Sequence, residues 1–187
     1  MDRRPGDSSN ARLWRASAWA AAAGVLLTPL MLRAPWTVAD YVTAAALLGC
    51  VGVMVELAVR ASGDLAYRAG AAVAVAAGAL LTVVNGAVGF LGSEDNPANL
   101  IFLAVLGIAA AGSVLAGFRP GGMAGAMFAT AAAQVLAGAG ALAAGLGSPG
   151  LDGVGEVVLG TCLFSAMWLA SAGLFRRAAD RISATPE

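Results

Sequence analysis

The residues able to do chemistry in this chain are few, and most carry carboxylates or carboxamides. Glu94, Asp95, Asn96 and Asn99 fall within six residues. Two acids and two amides at that spacing form a set of hard oxygen donors, suited to attract a cation or take up a proton at a membrane boundary. The same string also reads as a helix start, because Asn96 is a good N-cap and Pro97 fits the first turn without losing a hydrogen bond. Asn85 lies a short distance upstream, with Thr82 and Gly86 near it at helical spacing, and Gln134 sits in the middle of a long apolar run. Each carboxamide can donate across a helix interface or line a polar path. Glu56 is the acid placed inside an apolar stretch, where an ionisable group is a functional candidate by default. Arg60 follows it by four residues, the favourable order for a helical ion pair. Glu56 is also 16 residues beyond Asp40, about 24 Å along a helix at 1.5 Å per residue, and so near the opposite boundary.

Other chemistry is excluded by composition. There is no histidine, and all eleven basic residues are arginine. Imidazole-ligated metals, a Ser-His-Asp arrangement and a lysine Schiff base are therefore ruled out. Cys50 and Cys162 both stand within apolar runs, where a thiol behaves as a small hydrophobe, so a disulfide or a cysteine metal cluster is not expected. The carboxylates are too scattered to compose a catalytic set. No catalytic residue, metal or cofactor is assigned, nucleic acid is not expected as a partner, and an enzyme acting on lipids is the weakest of the functional classes considered.

The elements that must position these residues are set by composition. AVILMFWYC make up 59% of the 187 residues, a further 25 are glycine, and charged residues are 12%. Mean hydropathy is +0.80. Soluble domains run at about 45–50% apolar with glycine included, so an all-α integral membrane protein is expected. Stretches of about 20 residues, the length needed to cross a hydrocarbon core of about 30 Å, occur near 13–32, 38–59, 68–91, 97–118, 123–146 and 154–175. Breakers such as Ser62-Gly63-Asp64 and Arg119-Pro120-Gly121-Gly122 separate them. The expectation is a bundle of six transmembrane helices over 13–175, with tails at 1–12 and 176–187. The first stretch is read as a retained anchor rather than a cleaved signal, since it exceeds an h-region of about 7–15 residues.

Arginines accumulate on cytoplasmic segments. With both termini inside, Arg3, Arg4, Arg12, Arg15, Arg60, Arg68, Arg119, Arg176, Arg177 and Arg181 share the cytoplasmic face, leaving Arg33 outside with Asp40, Glu94, Asp95, Asp152 and Glu156. Trp36 and Tyr41 then fall at the outer boundary, and Trp14 and Tyr67 at the inner one, as aromatic belts do. Thr37-Val38-Ala39-Asp40 has the spacing of a capping box. Gly70, Ala74, Gly78, Thr82 and Gly86 recur every four residues, and Ser113 with Gly117 and Gly121 with Gly125 repeat the pattern, as closely packed membrane helices require.

The strings Trp36-Thr37-Val38-Ala39-Asp40-Tyr41, Val84-Asn85-Gly86-Ala87-Val88-Gly89 and Gly92-Ser93-Glu94-Asp95-Asn96-Pro97-Ala98-Asn99-Leu100 resemble a family of small bacterial multi-pass inner-membrane proteins without an assigned activity. The resemblance implies an inner-membrane location and a shared architecture over about 36–146, and nothing catalytic. Two functions are expected from the sequence. One is a structural or accessory membrane component, partnered by the lipid bilayer and by a homo-oligomer or a larger membrane complex. The other is a transporter or channel for a small solute, proton or cation, with Glu94, Asp95, Asn96, Asn99 and Asn85 as an outer vestibule, Gln134 below and Glu56 at the exit.

Overall fold

A computed structural model describes residues 6–148 and 150–184, and only the backbone of residues 6–15, 18 and 151. Residues 1–5 of the expected N-terminal tail, with Arg3 and Arg4, and the last three of the expected C-terminal tail lie outside the described residues. The described chain is helical and contains no strand: α1 (Gly6–Met31), α2 (Val38–Ala61), α3 (Leu65–Ala87), α4 (Leu100–Leu115, entered through a 3-10 turn at Pro97–Asn99), α5 (Pro120–Ala143) and α6 (Leu151–Ser183). Five of these are long and apolar enough to cross a membrane: α2, α3, the 3-10 turn continued into α4, α5 and α6. In α1 the described apolar stretch is shorter, Trp19–Met31. This is the architecture of a multi-pass membrane protein.

Local chemistry accounts for the helix ends. Asp64, expected in a connection, caps α3: its Oδ1 accepts from the Tyr67 N–H at 2.9 Å, so the helix begins three residues before the expected start at 68. Pro120 likewise occupies the first turn of α5, not the connection before it. α3 stops at Ala87 where Val84 O accepts from both Val88 and Gly89 N–H, and Gly89 takes φ +79°. α6 runs eight residues beyond the expected 175, through Arg176, Arg177 and Arg181. Its 33 residues measure about 50 Å, more than a hydrocarbon core of about 30 Å.

The chain divides into two compact units, one up to Met54 and one from Val55. In the first, Thr37 and Asp40 form the expected capping box: the Thr37 N–H and Oγ1–H donate to Asp40 Oδ2 at 2.6 and 2.8 Å, and the Asp40 N–H donates to Thr37 Oγ1 at 3.3 Å. Trp36 and Tyr41 meet edge to face at 5.2 Å. Gly52 lies under the Trp19 ring, where a Cβ would sit 2.5 Å from the ring carbon.

In the second unit α6 packs against both α5 and α3, and α5 also packs against α4. The interior is built from small side chains, including Ala71, Ala77, Ala131, Ala137 and Ala141, around Phe102, Met127, Phe164, Trp168 and Phe175. The large aliphatics Leu103, Leu115, Leu136, Leu159 and Leu163 are exposed instead. A soluble protein would place them the other way round. In lipid, exposed leucine costs nothing, and close approach of backbones through small residues holds helices together.

The small-residue pattern is used in part. A Cβ on Gly70 would lie 3.3 Å from Leu174 and Phe175, whose Tyr67 neighbour is buried edge to face at 5.1 Å rather than standing in an exposed belt. Gly78 faces Leu106 and Trp168, while Gly86 meets nothing within 4 Å. Between α4 and α5 the close approach is made by Gly112 on Ala126 and Gly122 on Ala116, so the register lies one residue from the expected Ser113/Gly117 and Gly121/Gly125 pairs. Gly138 fits directly against Thr161, where a Cβ would collide with the threonine side chain.

Two predictions follow from this packing. Gly138→Ala overpacks the α5–α6 contact and is expected to cost about 1–3 kcal/mol. Gly125→Ala, with nothing within 4 Å, should be neutral or stabilising by up to about 1 kcal/mol. Thermal unfolding in detergent, read side by side, checks the opposite signs. The second concerns Asp64, just outside the α3 span, whose carboxyl is held below the usual range by the Tyr67 N–H and by Arg181, whose Nη1 lies 3.1 Å from Oδ2. A lowered folded pKa means stability that is present above the unfolded value, about 3.9, and lost as pH falls through the folded value. The melting difference between wild type and Asp64→Asn is expected to persist from pH 7 to 5 and to shrink below about pH 4.

Candidate functional site

The expected oxygen-donor string lies in the connection between α3 and α4, and its carboxamides prove to be structural ties. Asn96 Oδ1 accepts from the Ala98 N–H at 3.0 Å, capping the 3-10 turn as expected. Its Nδ2 donates to Leu91 O and to Leu146 O, both at 3.0 Å, which joins this connection to the one between α5 and α6. Asn99 is buried; its Oδ1 accepts from the Leu91 N–H at 2.9 Å and its Nδ2 donates to Ser93 O at 2.7 Å. Asn85 Nδ2, from α3, donates to Asn99 O at 3.1 Å. Three asparagines thus fold the segment back on itself and satisfy backbone groups that have no helix partner.

Packing makes the segment tight enough for these bonds. Phe90 is buried against Phe102 of α4, ring centroids 3.9 Å apart, and against Phe164 of α6 at 5.8 Å. Gly160 leaves room for it: a Cβ there would lie 2.6 Å from the Phe90 ring. Gly92, at φ +85°, abuts Ser148 across the neighbouring connection.

Glu94 and Asp95 sit exposed at the tip of this turn, where the Asp95 N–H donates to Ser93 Oγ at 3.3 Å. The oxygens of Asn96 and Asn99 that would have joined them around a cation already accept backbone N–H groups. Among the described residues no group of three or more His, Cys, Asp or Glu side chains is placed to hold a metal ion. Asn85 Oδ1 is buried with no hydrogen-bond partner among the described residues.

Glu56 pairs with Arg60, Oε1 lying 2.8 Å from Nη2 and 3.0 Å from Nε. The expected helical ion pair is present, and Glu56 is only partly exposed at its end of α2. Gln134 is fully buried on α5, and neither its Oε1 nor its Nε2 has a hydrogen-bond partner among the described residues. It is not bonded to the asparagine cluster.

Sequence reasoning missed the groups that share Gln134's condition. Thr161 Oγ1, Ser165 Oγ and Trp168 Nε1, all on α6, are buried atoms with no partner among the described residues. Their spacing of four and then three residues was a readable signal, since it puts them on one helical face. Beside them runs a groove of about 210 Å³, lined by Phe128, Ala131, Ala132 and Val135 of α5 and by Ser165 and Leu169 of α6.

No protein-family model, curated protein or solved structure matches the chain. Its reading therefore rests on the residues themselves.

Asn99→Ala removes the partner of the buried Leu91 N–H, an orphaned group expected to cost about 1–3 kcal/mol, while Ser93 O keeps the Asn96 N–H at 3.1 Å. Thermal unfolding checks the loss, and cleavage at Glu94 by a glutamate-specific protease should accelerate as the turn opens. The Glu94→Gln, Asp95→Asn double variant should melt as wild type does.

Proposed function

We propose that the chain is a structural or accessory component of a bacterial inner membrane, without catalysis of its own. In this reading it belongs with the small multi-pass family it resembles, crosses the bilayer six times, and keeps both termini on the cytoplasmic, arginine-rich side. Its partners are the lipid bilayer and either further copies of itself or a larger membrane complex. The observation that carries the reading is the use of Asn85, Asn96 and Asn99 as internal ties. Polar groups lining a transport path present their hydrogen-bonding atoms to a passing solute; here every amide group of the three but Asn85 Oδ1 bonds to backbone. Exposed leucine, valine and phenylalanine side chains on the helices offer apolar surface to lipid or to another helix.

The competing reading, passage of a proton, cation or small solute, rests on the exposed Glu94 and Asp95 at the tip of the α3–α4 turn. Reconstitution in liposomes separates the two. Wild type and the Glu94→Gln, Asp95→Asn variant are expected to hold cation and proton gradients as well as empty vesicles do. A gradient-driven flux that the variant abolishes would replace the structural reading with transport. Purification in mild detergent is expected to recover a stoichiometric partner or a defined homo-oligomer, and a monomer with no partner would overturn recruitment.

A further inference from the structure

The hydroxyls of Thr161 and Ser165 depart from a habit that Thr28, Thr82, Ser113, Thr130 and Ser183 keep. A serine or threonine inside a helix usually hands its proton to the carbonyl one turn back. Thr28 does so to Gly24 O at 2.9 Å, Thr82 to Gly78 O at 2.8 Å, Ser113 to Ala109 O at 2.7 Å, and Thr130 to Ala126 O at 2.8 Å. Thr161 and Ser165 make no such bond, although their hydroxyl oxygens are buried. Ser171, on the same helix, also forgoes it, and it has another acceptor: Gly70 O on α3, at 2.8 Å.

What faces Thr161 and Ser165 is α5. Gly138 brings Thr161 against the α5 backbone, and one turn toward the start of α5 from Gly138 is Gln134. The two helices follow one another through a short connection and pack side by side, so one turn further along α6 is Ser165, and then Trp168. Gln134, Ser165 and Trp168 are 0%, 7% and 1% exposed. Five side-chain atoms on these two helices are buried with no hydrogen-bond partner among the described residues: both amide atoms of Gln134, the two hydroxyls, and the Trp168 indole nitrogen. A single such atom is tolerable, but five together in hydrocarbon are not, because nothing outside the helices can accept their protons.

We propose that Gln134, Thr161, Ser165 and Trp168 form an internal water site that hydrogen-bonds α5 to α6 within the membrane-embedded part of the protein. The donor set selects the occupant. All four groups are neutral, so nothing there balances a cation. Gln134 Nε2 and Trp168 Nε1 only donate, while Gln134 Oε1 only accepts, so the occupant must both accept and donate at short range. Water does both and makes about three bonds in such sites. Ser165 belongs both to this cluster and to the wall of the apolar groove between α5 and α6, with its hydroxyl on the buried side.

The test is a crystal structure of the full chain in a lipid phase that shows ordered solvent, together with thermal unfolding of Gln134→Leu and Ser165→Ala. The expected result is a solvent peak at about 2.7–3.2 Å from Trp168 Nε1 and from at least one atom of Gln134. Both variants are also expected to melt about 5 °C below wild type as the bridge is lost. Absence of that peak, as when Gln134 bonds Ser165 directly, overturns the proposal. So does a Gln134→Leu variant that melts higher than wild type, since leucine improves only a dry interface of unpaired groups. Ser165→Ala removes one oxygen and adds no bulk, so it remains readable if the leucine variant fails to fold.

Discussion

Close contact between α5 and α6 depends on the bare Cα of Gly138. With no side chain there, α6 brings Thr161 onto the α5 backbone, and the rest of the interface follows from that separation. The small residues Ala131, Ala137 and Ala141 fill the space between the helices, and Phe164 and Trp168 reach past them into the common core. α6 then carries α3 through Gly70, whose carbonyl accepts from Ser171 and whose Cα faces Phe175, and α5 carries α4 through Ala126 and Gly112. In lipid there is no hydrophobic drive between helices, so contact distance decides whether dispersion and interhelical hydrogen bonds are strong enough to hold them.

The same shortage of outside partners explains the asparagines. A turn between two membrane helices has backbone N–H and C=O groups with no helical bond to make. At the α3–α4 turn, Leu91 N–H and O, Ser93 O, Ala98 N–H and Asn99 O are each met by an asparagine side chain. A carboxamide suits this task because it offers donors and an acceptor without a charge to desolvate. A carboxylate could only accept, which fits the placement of Glu94 and Asp95 in the exposed part of the turn. One tie reaches further, from Asn96 to Leu146 O, so the α5–α6 connection is held by the same residues.

What could be read from the sequence was local. The capping box at Thr37 and Asp40, the Asn96 cap, the Glu56–Arg60 pair and the helical class of every long stretch depend on residues a turn apart, and a sequence displays those directly. The closure of Asn99 on Leu91 and Ser93, the bond from Asn96 to Leu146 and the ion pair of Arg181 with Asp64 depend on which faces of the helices meet. Alanine, glycine, leucine and valine are spread so evenly around these helices that faces are hard to tell apart. That evenness is why the α4–α5 register came out one residue away, at Gly112 and Gly122. It is also why Gln134 was noticed as a lone polar residue while its companions on α6 were not. The end of α3 and the length of α6 were misjudged for a related reason: apolar content continues past one helix end and stops short of the other, and hydrogen bonding decides both.

The two ends of the α3–α6 unit solve one problem with different chemistry. At the α3–α4 turn the orphaned backbone groups are met by neutral carboxamides. At the other end three carbonyls are met by the Arg68 guanidinium and the Tyr67 hydroxyl. Arg68 donates from Nε to Ser62 O at 2.8 Å and from Nη2 to Val59 O at 3.1 Å, covering carbonyls at the end of α2. Arg181, at the far end of α6, pairs with the Asp64 that caps α3. Tyr67 completes this end by donating to Phe118 O, at 2.8 Å, in the α4–α5 turn. A guanidinium is well suited to carbonyls at a helix C-terminus, where the dipole is negative and several donors can be shared. In the reading proposed above, retention of positive charge on one side of a bilayer would place arginines near these turns, and the turns use Arg68 to cover carbonyls and Arg181 to pair with a capping carboxylate. Removing Arg68 would then disturb the α2–α3 connection, whereas Arg60, engaged with Glu56 on its own helix, holds no turn.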